Sequence, residues 1–433
     1  MGFVTIASAV PNPTVTGPIP STNQPGNPPG GNYPFAASLV DVTGFGYVEE
    51  EYFIERVSGT NSLYKTRLLV HKPVNPKKFN GIVVLEMSHN ALNIDDAAAW
   101  SQLSDVFMRS GYAYVMVSAQ PVGISNLATW NPTRYAGFHI DTVNSSAIDI
   151  YDEAAQAIKN PVGVNPLAGL TVKKIIGTGV SQAGTPLTSY YNLKQSTSGL
   201  IDGFIFLYTG SNVAINVNVP TFIIVSETDI VRNGPIFRKG DTNIRRLWEM
   251  AGASHIGAAE RDYLVSVINR DVPGYTLTLG PNTFNINQLF GCTNVNDFPR
   301  NNILAAGFNH MIPWMKDGTP PPIAPVIDIN ASAPYVIRDA DGNSLSGGVR
   351  LSQIDVPIAK LSGEANTTGC VFGFLLGQRV DFTPTRLNEL YSNHGAYVSK
   401  VNQVTNQNLS NGFILSPDAT ATRQDAAQSS VGK

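Results

Sequence analysis

The amino-acid sequence predicts an α/β protein built on a mainly parallel sheet. Short continuous apolar runs at 81–86, 112–118 and 221–225 are typical of strands that are buried on both faces. Segments in which apolar side chains recur at helical spacing stand between such runs. Strands that alternate with helices form βαβ units, which place parallel strands side by side through right-handed crossovers.

The elements follow in order along the chain. Residues 11–35 are rich in Pro, Gly, Asn and Ser, which predicts an extended surface arm without a ladder or a helix. Asp95 and Asp96 stand where a helix N-cap is expected, and Gly111 is the stop signal of that helix. We predict strands at 52–57, 63–71, 81–86, 112–118, 172–177, 204–208 and 221–225, and helices at 97–107, 148–158 and 182–193.

The alternation weakens after residue 258. A segment rich in Asn, Gly and Pro at 271–300 precedes a helical pattern at 301–316, and a second helical pattern runs from 386 to 406. We therefore expect an arm at 1–44, an α/β domain at 45–320 with an insertion around 258–300, and an extension at 321–433. The extension has the length of a lid, a small packed subdomain or a dimer arm, so a homodimer is also expected.

Composition excludes several classes of protein. The chain is 42% hydrophobic and 14% charged with a net charge of −3, so nucleic acid is not an expected partner. No apolar run is long enough to span a membrane, and the N-terminal residues lack the basic region of a signal peptide. We expect a cytoplasmic protein. Whether Cys292 and Cys370 pair stays open at this point.

The segment 173–184 (KKIIGTGVSQAG) carries the most chemical information. A phosphate-binding loop would need a lysine where Thr185 stands, and a dinucleotide fingerprint would need a third glycine at another offset. A nucleophile turn of the form G-x-S-x-G fits better, with Gly179 and Ser181 in place and a small alanine for the last glycine. Gln182 would then offer its backbone N–H to an oxyanion. A serine that only caps a helix is the simpler alternative.

Two later segments supply the partners that such a serine needs. The strand at 221–225 runs into Glu227 and Asp229, and the segment 244–250 runs into His255. The order serine, acid, histidine is that of α/β-hydrolases, in which the histidine is the base and the acid orients it. Asp229 is the predicted acid, and Glu227 is its alternative.

The chain resembles the alpha/beta-hydrolase-domain family of large serine hydrolases from about residue 45 to 415. Its matching motifs are EYF at 51–53, D-x-x-x-x-W at 95–100, SAQPVG at 118–123, GVSQ at 179–182, SETD at 226–229, WEMAGASH at 248–255, DGTP at 317–320 and RDADGN at 338–343. The resemblance implies an α/β-hydrolase fold with a Pro-rich N-terminal arm and a C-terminal lid or extension. It also implies serine-dependent acyl chemistry without a defined substrate.

The loop after residue 86 departs from the glycine-containing turn of that family, since it reads MSHNALN at 87–93. We expect the backbone N–H of Ser88 or His89 to be the second oxyanion donor beside that of Gln182. The side chains of His89 and Asn90 are expected to contact the substrate, and a loop histidine bonded only to backbone is the alternative.

The sequence therefore predicts an enzyme that hydrolyses a small-molecule ester or lactone through an acyl-enzyme on Ser181. A cyclase or acyltransferase that captures the acyl group with an internal nucleophile, forming a β-lactone for example, is the first alternative. A binding module that has lost catalysis is the second. No cofactor is expected, and no metal, because the histidines lack ligand spacing with Cys or carboxylates.

Overall fold

The computed structural model describes residues 10–21, 32–333 and 335–433. Residues 1–9, for which no signal peptide is expected, and residues 22–31 of the expected arm lie outside the described residues. The chain divides into two compact units, one formed by residues up to 221 with 266–275, the other by 222–265 with 276–433. These limits differ from the expected ones at 44 and 320. One reason is Asp271, which accepts the Tyr33 hydroxyl at 3.0 Å and the Ala36 N–H at 2.9 Å and so joins the arm to residues 266–275.

The first unit is an α/β structure, which confirms the predicted fold class. Its strands are β1 (Thr14–Thr16), β2 (Tyr47–Ser58), β3 (Asn61–Pro73), β4 (Ile82–Met87), β5 (Ala113–Val117), β6 (His139–Ile140), β7 (Lys174–Val180) and β8 (Gly203–Leu207). Its helices are α1 (Ala98–Arg109), α2 (Pro121–Trp130), α3 (Ala147–Lys159), α4 (Gly184–Leu193) and α5 (Gln195–Ser198). The strand order is β1-β2-β3-β5-β4-β7-β8, with β6 paired to β3.

The centre of this sheet is parallel and its edge is antiparallel. Strands β5, β4, β7 and β8 pair in parallel, whereas β1, β2 and β3 form antiparallel pairs. Every residue of β4, β5 and β8 is buried, as the apolar runs predicted. Because β4 and β7 are parallel neighbours, with Glu86 opposite Thr178, the loop after β4 and the turn after β7 lie at the same edge of the sheet.

Two local expectations were wrong. The arm was expected to form no ladder, but Thr14–Thr16 pairs with β2, since a Thr-Val-Thr run between prolines is a good strand former. The acids before α1 do not cap it: the N-cap is Ala97 and has no side-chain cap bond. Instead the buried Glu86 carboxyl group accepts the Ala99 N–H at 2.9 Å, which satisfies one donor of the first helical turn.

The second unit contains the remaining elements. They are β9 (Thr221–Ser226), α6 (Glu227–Asn233), β10 (Arg245–Met250), α7 (Ala258–Asp271), β11 (Thr276–Leu279), β12 (Asn282–Asn285), α8 (Ile286–Phe290), α9 (Arg300–Asp317), α10 (Ser352–Asp355), β13 (Ala359–Ser362), α11 (Gly373–Leu376), β14 (Gln378–Asp381), α12 (Pro384–Leu390), α13 (His394–Ser410) and α14 (Ser416–Gln428), the last residues of α7 belonging to the first unit. Strand β9 lies next to β10, while β11–β12 and β13–β14 are separate antiparallel pairs. Cys292 and Cys370 form a disulfide. Within the described parts of the chain, no helix is both long and apolar enough to cross a bilayer.

Candidate active site

Ser181 stands in a strained turn at the end of a buried strand. Strand β7 ends at Val180, a short 3-10 turn covers Ser181–Ala183, and α4 begins at Gly184. The backbone of Ser181 is left-handed, with φ at 50°. That conformation costs a non-glycine residue about 1–2 kcal/mol, and strain of this kind is concentrated at functional positions. A half-buried serine held in such a strand-to-helix turn has the geometry of a nucleophile elbow.

The small residues around the turn are required by close packing. A Cβ on Gly179 would lie 3.1 Å from the Ala183 carbonyl oxygen, tighter than an ordinary contact. A Cβ on Gly184 would lie 2.0 Å from Thr209 Cγ2, which is impossible without displacement. The close contact that requires a glycine therefore lies at Gly184, one position later than in the usual G-x-S-x-G pattern. Ala183 stands at the usual position of the second glycine.

The first expected oxyanion donor, the backbone N–H of Gln182, belongs to the serine turn. Gln182 follows Ser181 at the start of the turn that leads into α4, whose N-terminal end carries partial positive charge. The other two expected donors are already engaged. The Ser88 N–H donates to Val117 O at 3.1 Å, and the His89 N–H donates to Asp96 O at 2.9 Å. This arrangement does not fit the expected role of these two N–H groups as the second oxyanion donor.

The side chains of Asn90 and His89, in the same loop, make different contacts. The Asn90 side-chain NH₂ donates to Ile94 O at 2.8 Å and to His89 O at 3.0 Å, so it braces the loop from within. The imidazole of His89 faces Asp96, with Nδ1 3.8 Å from Oδ2. Burial, with a smaller contribution from Asp95, raises the pKa of Asp96 to about 7. The pair thus places a carboxyl group that titrates near neutral pH beside an imidazole in the loop after β4.

Asp229 and His255 form a hydrogen-bonded pair inside the second unit. His255 Nδ1 lies 2.8 Å from Asp229 Oδ1, and both residues are buried. The other oxygen, Oδ2, accepts the Ser226 N–H at 2.9 Å and the Ser226 hydroxyl at 2.7 Å. These bonds arise because Ser226 and Asp229 form the capping box of α6, which fixes the carboxylate where β9 ends. The His255 N–H in turn donates to the Thr228 hydroxyl at 3.2 Å.

Glu227, the alternative acid, is a structural brace in the same unit. One carboxylate oxygen accepts the Gly363 N–H at 2.8 Å and lies 2.7 Å from Arg338 Nη1. The other accepts the Gly252 N–H at 2.6 Å. The residue is fully buried, and its bonds join the loop before His255 to the segment after β13. Of the two acids, the structure places Asp229 beside the imidazole.

A pair of glutamine side chains was not anticipated as part of this region. Gln182 Nε2 donates to Gln120 Oε1 at 2.7 Å, and Gln120 Nε2 donates to Ser88 O at 2.7 Å. Gln120 lies in the SAQPVG motif and Gln182 in GVSQ, so the motifs were a signal that sequence reasoning left unused. In the described residues, no group of three or more His, Cys, Asp or Glu side chains could hold a metal ion.

Comparison with known families gives one extensive match. A family model described as alpha/beta hydrolase domain matches residues 15–424, which is nearly the whole chain. No curated protein sequence matches the chain.

Solved structures of esterases match parts of the chain at low sequence identity. The esterase Est22 is 16% identical, with 43% of this chain and 66% of that chain covered and a TM-score of 0.29. A putative acetyl xylan esterase from Bacteroides fragilis is 13% identical, with 47% and 66% covered and a TM-score of 0.29. A thermostable esterase from Pseudomonas putida is 14% identical, with 46% and 69% covered and a TM-score of 0.30. The chain thus spans just under two thirds of the Est22 structure.

Proposed function

The chain belongs to the alpha/beta hydrolase domain family, and we propose that it cleaves a carboxylic ester or lactone through an acyl-enzyme on Ser181. The observation that carries the proposal is the left-handed backbone of Ser181 between a buried strand and a helix. Such a turn presents a serine hydroxyl for attack. The hydrogen bond between Asp229 and His255 supports it, because an imidazole held by a carboxylate is the base that a serine nucleophile needs.

The proposed reaction follows from these roles. His255 takes the proton of the Ser181 hydroxyl as the oxygen attacks the substrate carbonyl, and Asp229 stabilises the resulting imidazolium. The Gln182 N–H stabilises the oxyanion of the tetrahedral intermediate. When the intermediate collapses, the bond to the alcohol oxygen breaks and the alcohol leaves with the proton from His255. Water, deprotonated by His255, then hydrolyses the acyl-enzyme and regenerates Ser181.

The pair of His89 and Asp96 favours a second acceptor for the acyl group. A carboxylate with a pKa near 7 beside an imidazole is suited to deprotonate a hydroxyl of the substrate itself. Attack by that hydroxyl on the acyl-enzyme would release Ser181 and give a lactone or a transferred acyl group in place of the free acid. In that case His89→Ala should change the ratio of the products more than the rate at which Ser181 is acylated.

Substrate, assembly and location are parts of the same proposal. The low content of charged residues favours a neutral small-molecule ester or lactone, and a homodimer stays a prediction. The disulfide between Cys292 and Cys370 favours an oxidising compartment over the expected cytoplasm, because disulfides are rare in reducing cell compartments. Mass measurement of the protein isolated from its native compartment, after alkylation without reductant, tests this: two alkylated cysteines would restore the cytoplasmic expectation.

A labelling experiment tests the proposed function. Intact-protein mass spectrometry after treatment with a fluorophosphonate should show one adduct on the wild type and none on Ser181→Ala. With p-nitrophenyl acetate, Ser181→Ala should lose roughly 10⁴-fold or more in kcat, since nucleophile and base act as a unit. Labelling with only a burst of p-nitrophenol would favour capture by an internal nucleophile. Neither label nor turnover in the wild type would refute the proposal and favour a non-catalytic binding module.

A further inference from the structure

Buried ionic side chains connect the outer strands of the first unit to the loop after β4. Arg67 Nη1 lies 2.9 Å from Glu51 Oε1, and Arg67 Nη2 lies 2.9 Å from Asp95 Oδ2. All three side chains are fully buried, and the Ser118 hydroxyl donates to the same Asp95 oxygen. Burial of such charges yields little net stability, because their desolvation offsets their attraction. Their geometric effect is to fix Asp95 in one orientation.

Asp95 in turn belongs to a loop that is closed on itself. The backbones of His89 and Asp96 exchange two hydrogen bonds, of 2.9 and 3.0 Å, which close residues 89–96 into a ring. The Asn90 NH₂ group bonds Ile94 O inside this ring and lies 3.4 Å from Asp95 Oδ1. The loop is therefore braced by its own hydrogen bonds, and the ionic side chains behind it hold Asp95 in place.

The pair of glutamine carboxamides joins this loop to the serine turn. Gln182 Oε1 accepts the Asn90 N–H at 3.0 Å and the Gln120 NH₂ at 3.3 Å. Gln120 also donates to Ser88 O at 2.7 Å and accepts from Gln182 Nε2 at 2.7 Å. Gln120 thus contacts both the strand end of β4 and the residue that follows Ser181. It is half-buried and lies next to the first residue of α2.

We propose that Gln120 is a positioning residue, which holds Gln182 against the loop 88–96 and so keeps the Gln182 backbone in the orientation that the oxyanion requires. The inference rests on the proposed function and assigns that reaction a residue outside the nucleophile, acid and base. Donors that are fixed in advance stabilise the transition state without reorganisation, and a misplacement of about 1 Å can cost roughly 10²-fold in rate. Because the oxyanion exists only after attack, loss of Gln120 should lower kcat and leave KM nearly unchanged.

Gln120→Met and Asn80→Ala form a matched pair of variants for the test. Methionine keeps the length of Gln120 and removes its hydrogen bonds. Asn80 is also half-buried and bridges two segments, with bonds to Ser110 O at 2.9 Å and from the Ile82 N–H at 2.8 Å, but it lies at the opposite end of β4. With p-nitrophenyl acetate, Gln120→Met should lose about 10- to 100-fold in kcat with KM within about threefold. Asn80→Ala should keep both constants, and an equal loss there would overturn the inference, since any broken bridge would then have the same effect.

A double-mutant cycle with Gln182→Met tests the same contact from the other side. If the two carboxamides act together, the double variant should be no slower than the slower single variant. Multiplied losses in the double variant, or an unchanged kcat in Gln120→Met, would overturn the inference. Gln182→Met carries the kcat test alone if circular dichroism shows that Gln120→Met does not fold. Failure of the proposed function is separate, because it would show as an unlabelled and inactive wild type.

Discussion

Replacement of Asp229 by asparagine tests the acid more sharply than removal of the side chain. The Oδ2 position accepts two hydrogen bonds from Ser226, one of them from a buried backbone N–H. An asparagine must place its carboxamide oxygen there, because the opposite orientation sets an NH₂ against that N–H. The buried N–H would then be unsatisfied at a cost of about 1–3 kcal/mol, which favours the first orientation by roughly 5- to 160-fold.

That orientation turns the asparagine NH₂ toward His255 Nδ1, 2.8 Å from the position of Oδ1. The imidazole must then accept at Nδ1 and carry its proton on Nε2, so it could not act as the proposed base for Ser181. An acid-to-amide change with this effect on the tautomer lowers kcat by about 10⁴-fold, or about 5.5 kcal/mol in activation free energy. The backbone geometry should be unchanged, since every hydrogen bond to Ser226 is retained.

The assay is steady-state hydrolysis of p-nitrophenyl acetate, with Glu227→Gln as the matched control. This change is also an acid-to-amide change at a buried carboxylate of the same turn, but it lies outside the imidazole contact. We expect it to lower the free energy of unfolding by about 1–3 kcal/mol, because one amide hydrogen must face a donor, and to lower kcat less than about tenfold. A folded Asp229→Asn variant within tenfold of the wild type, or a larger kcat loss in Glu227→Gln, would refute the reasoning.

Three further changes affect the turn, the disulfide and a buried acid. Gly184→Ala should lower kcat more than about tenfold and the free energy of unfolding by about 1–3 kcal/mol, since its Cβ would lie 2.0 Å from Thr209 Cγ2. Adding Thr209→Gly to this variant should restore part of both losses. If neither loss is recovered, the predicted clash with Thr209 is wrong. Replacing Cys292 and Cys370 by serine should lower the free energy of unfolding, measured in urea, by about 2–4.5 kcal/mol, because the bond closes a loop of 78 residues. An unchanged midpoint would contradict this expectation. Burial raises the pKa of Glu86 from 4.5 to about 8, so the folded protein retains a proton that the unfolded chain releases. The free energy of unfolding should therefore fall as pH rises from about 5 to 8. Glu86→Gln should make this decline shallower in urea titrations at several pH values, and an equally steep decline in the variant would refute the assignment.

Complete burial explains which elements the sequence could predict. Strands β4, β5 and β8 are buried on both faces, so each is a continuous apolar run, visible without knowledge of its neighbours. Helix α14 is the opposite case, with Ser, Asp, Thr and Gln along most of its length and few buried side chains. Its position depends on packing against other elements, and such contacts leave no periodic signal in the sequence.

The candidate site divides in the same way. Ser181, Asp229 and His255 could be proposed from the sequence because the glycines near the serine, and the acid and histidine that follow later strand-like segments in that order, are features that the sequence displays. The engagement of the Ser88 and His89 N–H groups was not predictable. Their acceptors are the carbonyls of Val117 and Asp96, and the first of these lies on a neighbouring segment whose register only the folded sheet defines.

The Ser88 and His89 N–H groups are already hydrogen-bonded, and this increases the expected effect of Gln120 and Gln182 on the rate. If the loop after β4 supplies no backbone donor, the Gln182 N–H has a larger share in stabilising the oxyanion, and one such donor is worth about 10²–10³ in kcat. With the Gln182 N–H as the single donor, no second N–H would compensate for a tilt of the serine turn. The rate would then depend directly on how rigidly Gln182 is held. The Gln182 side chain is held by Gln120 and by the Asn90 N–H, and both bond the carboxamide of the residue whose backbone N–H is the proposed oxyanion donor. Under the proposed function, the bonds of Gln120 to Gln182 and to Ser88 O would support the Gln182 donor, while the buried bonds among the residues at 51, 67, 95 and 118 hold the loop that carries Asn90.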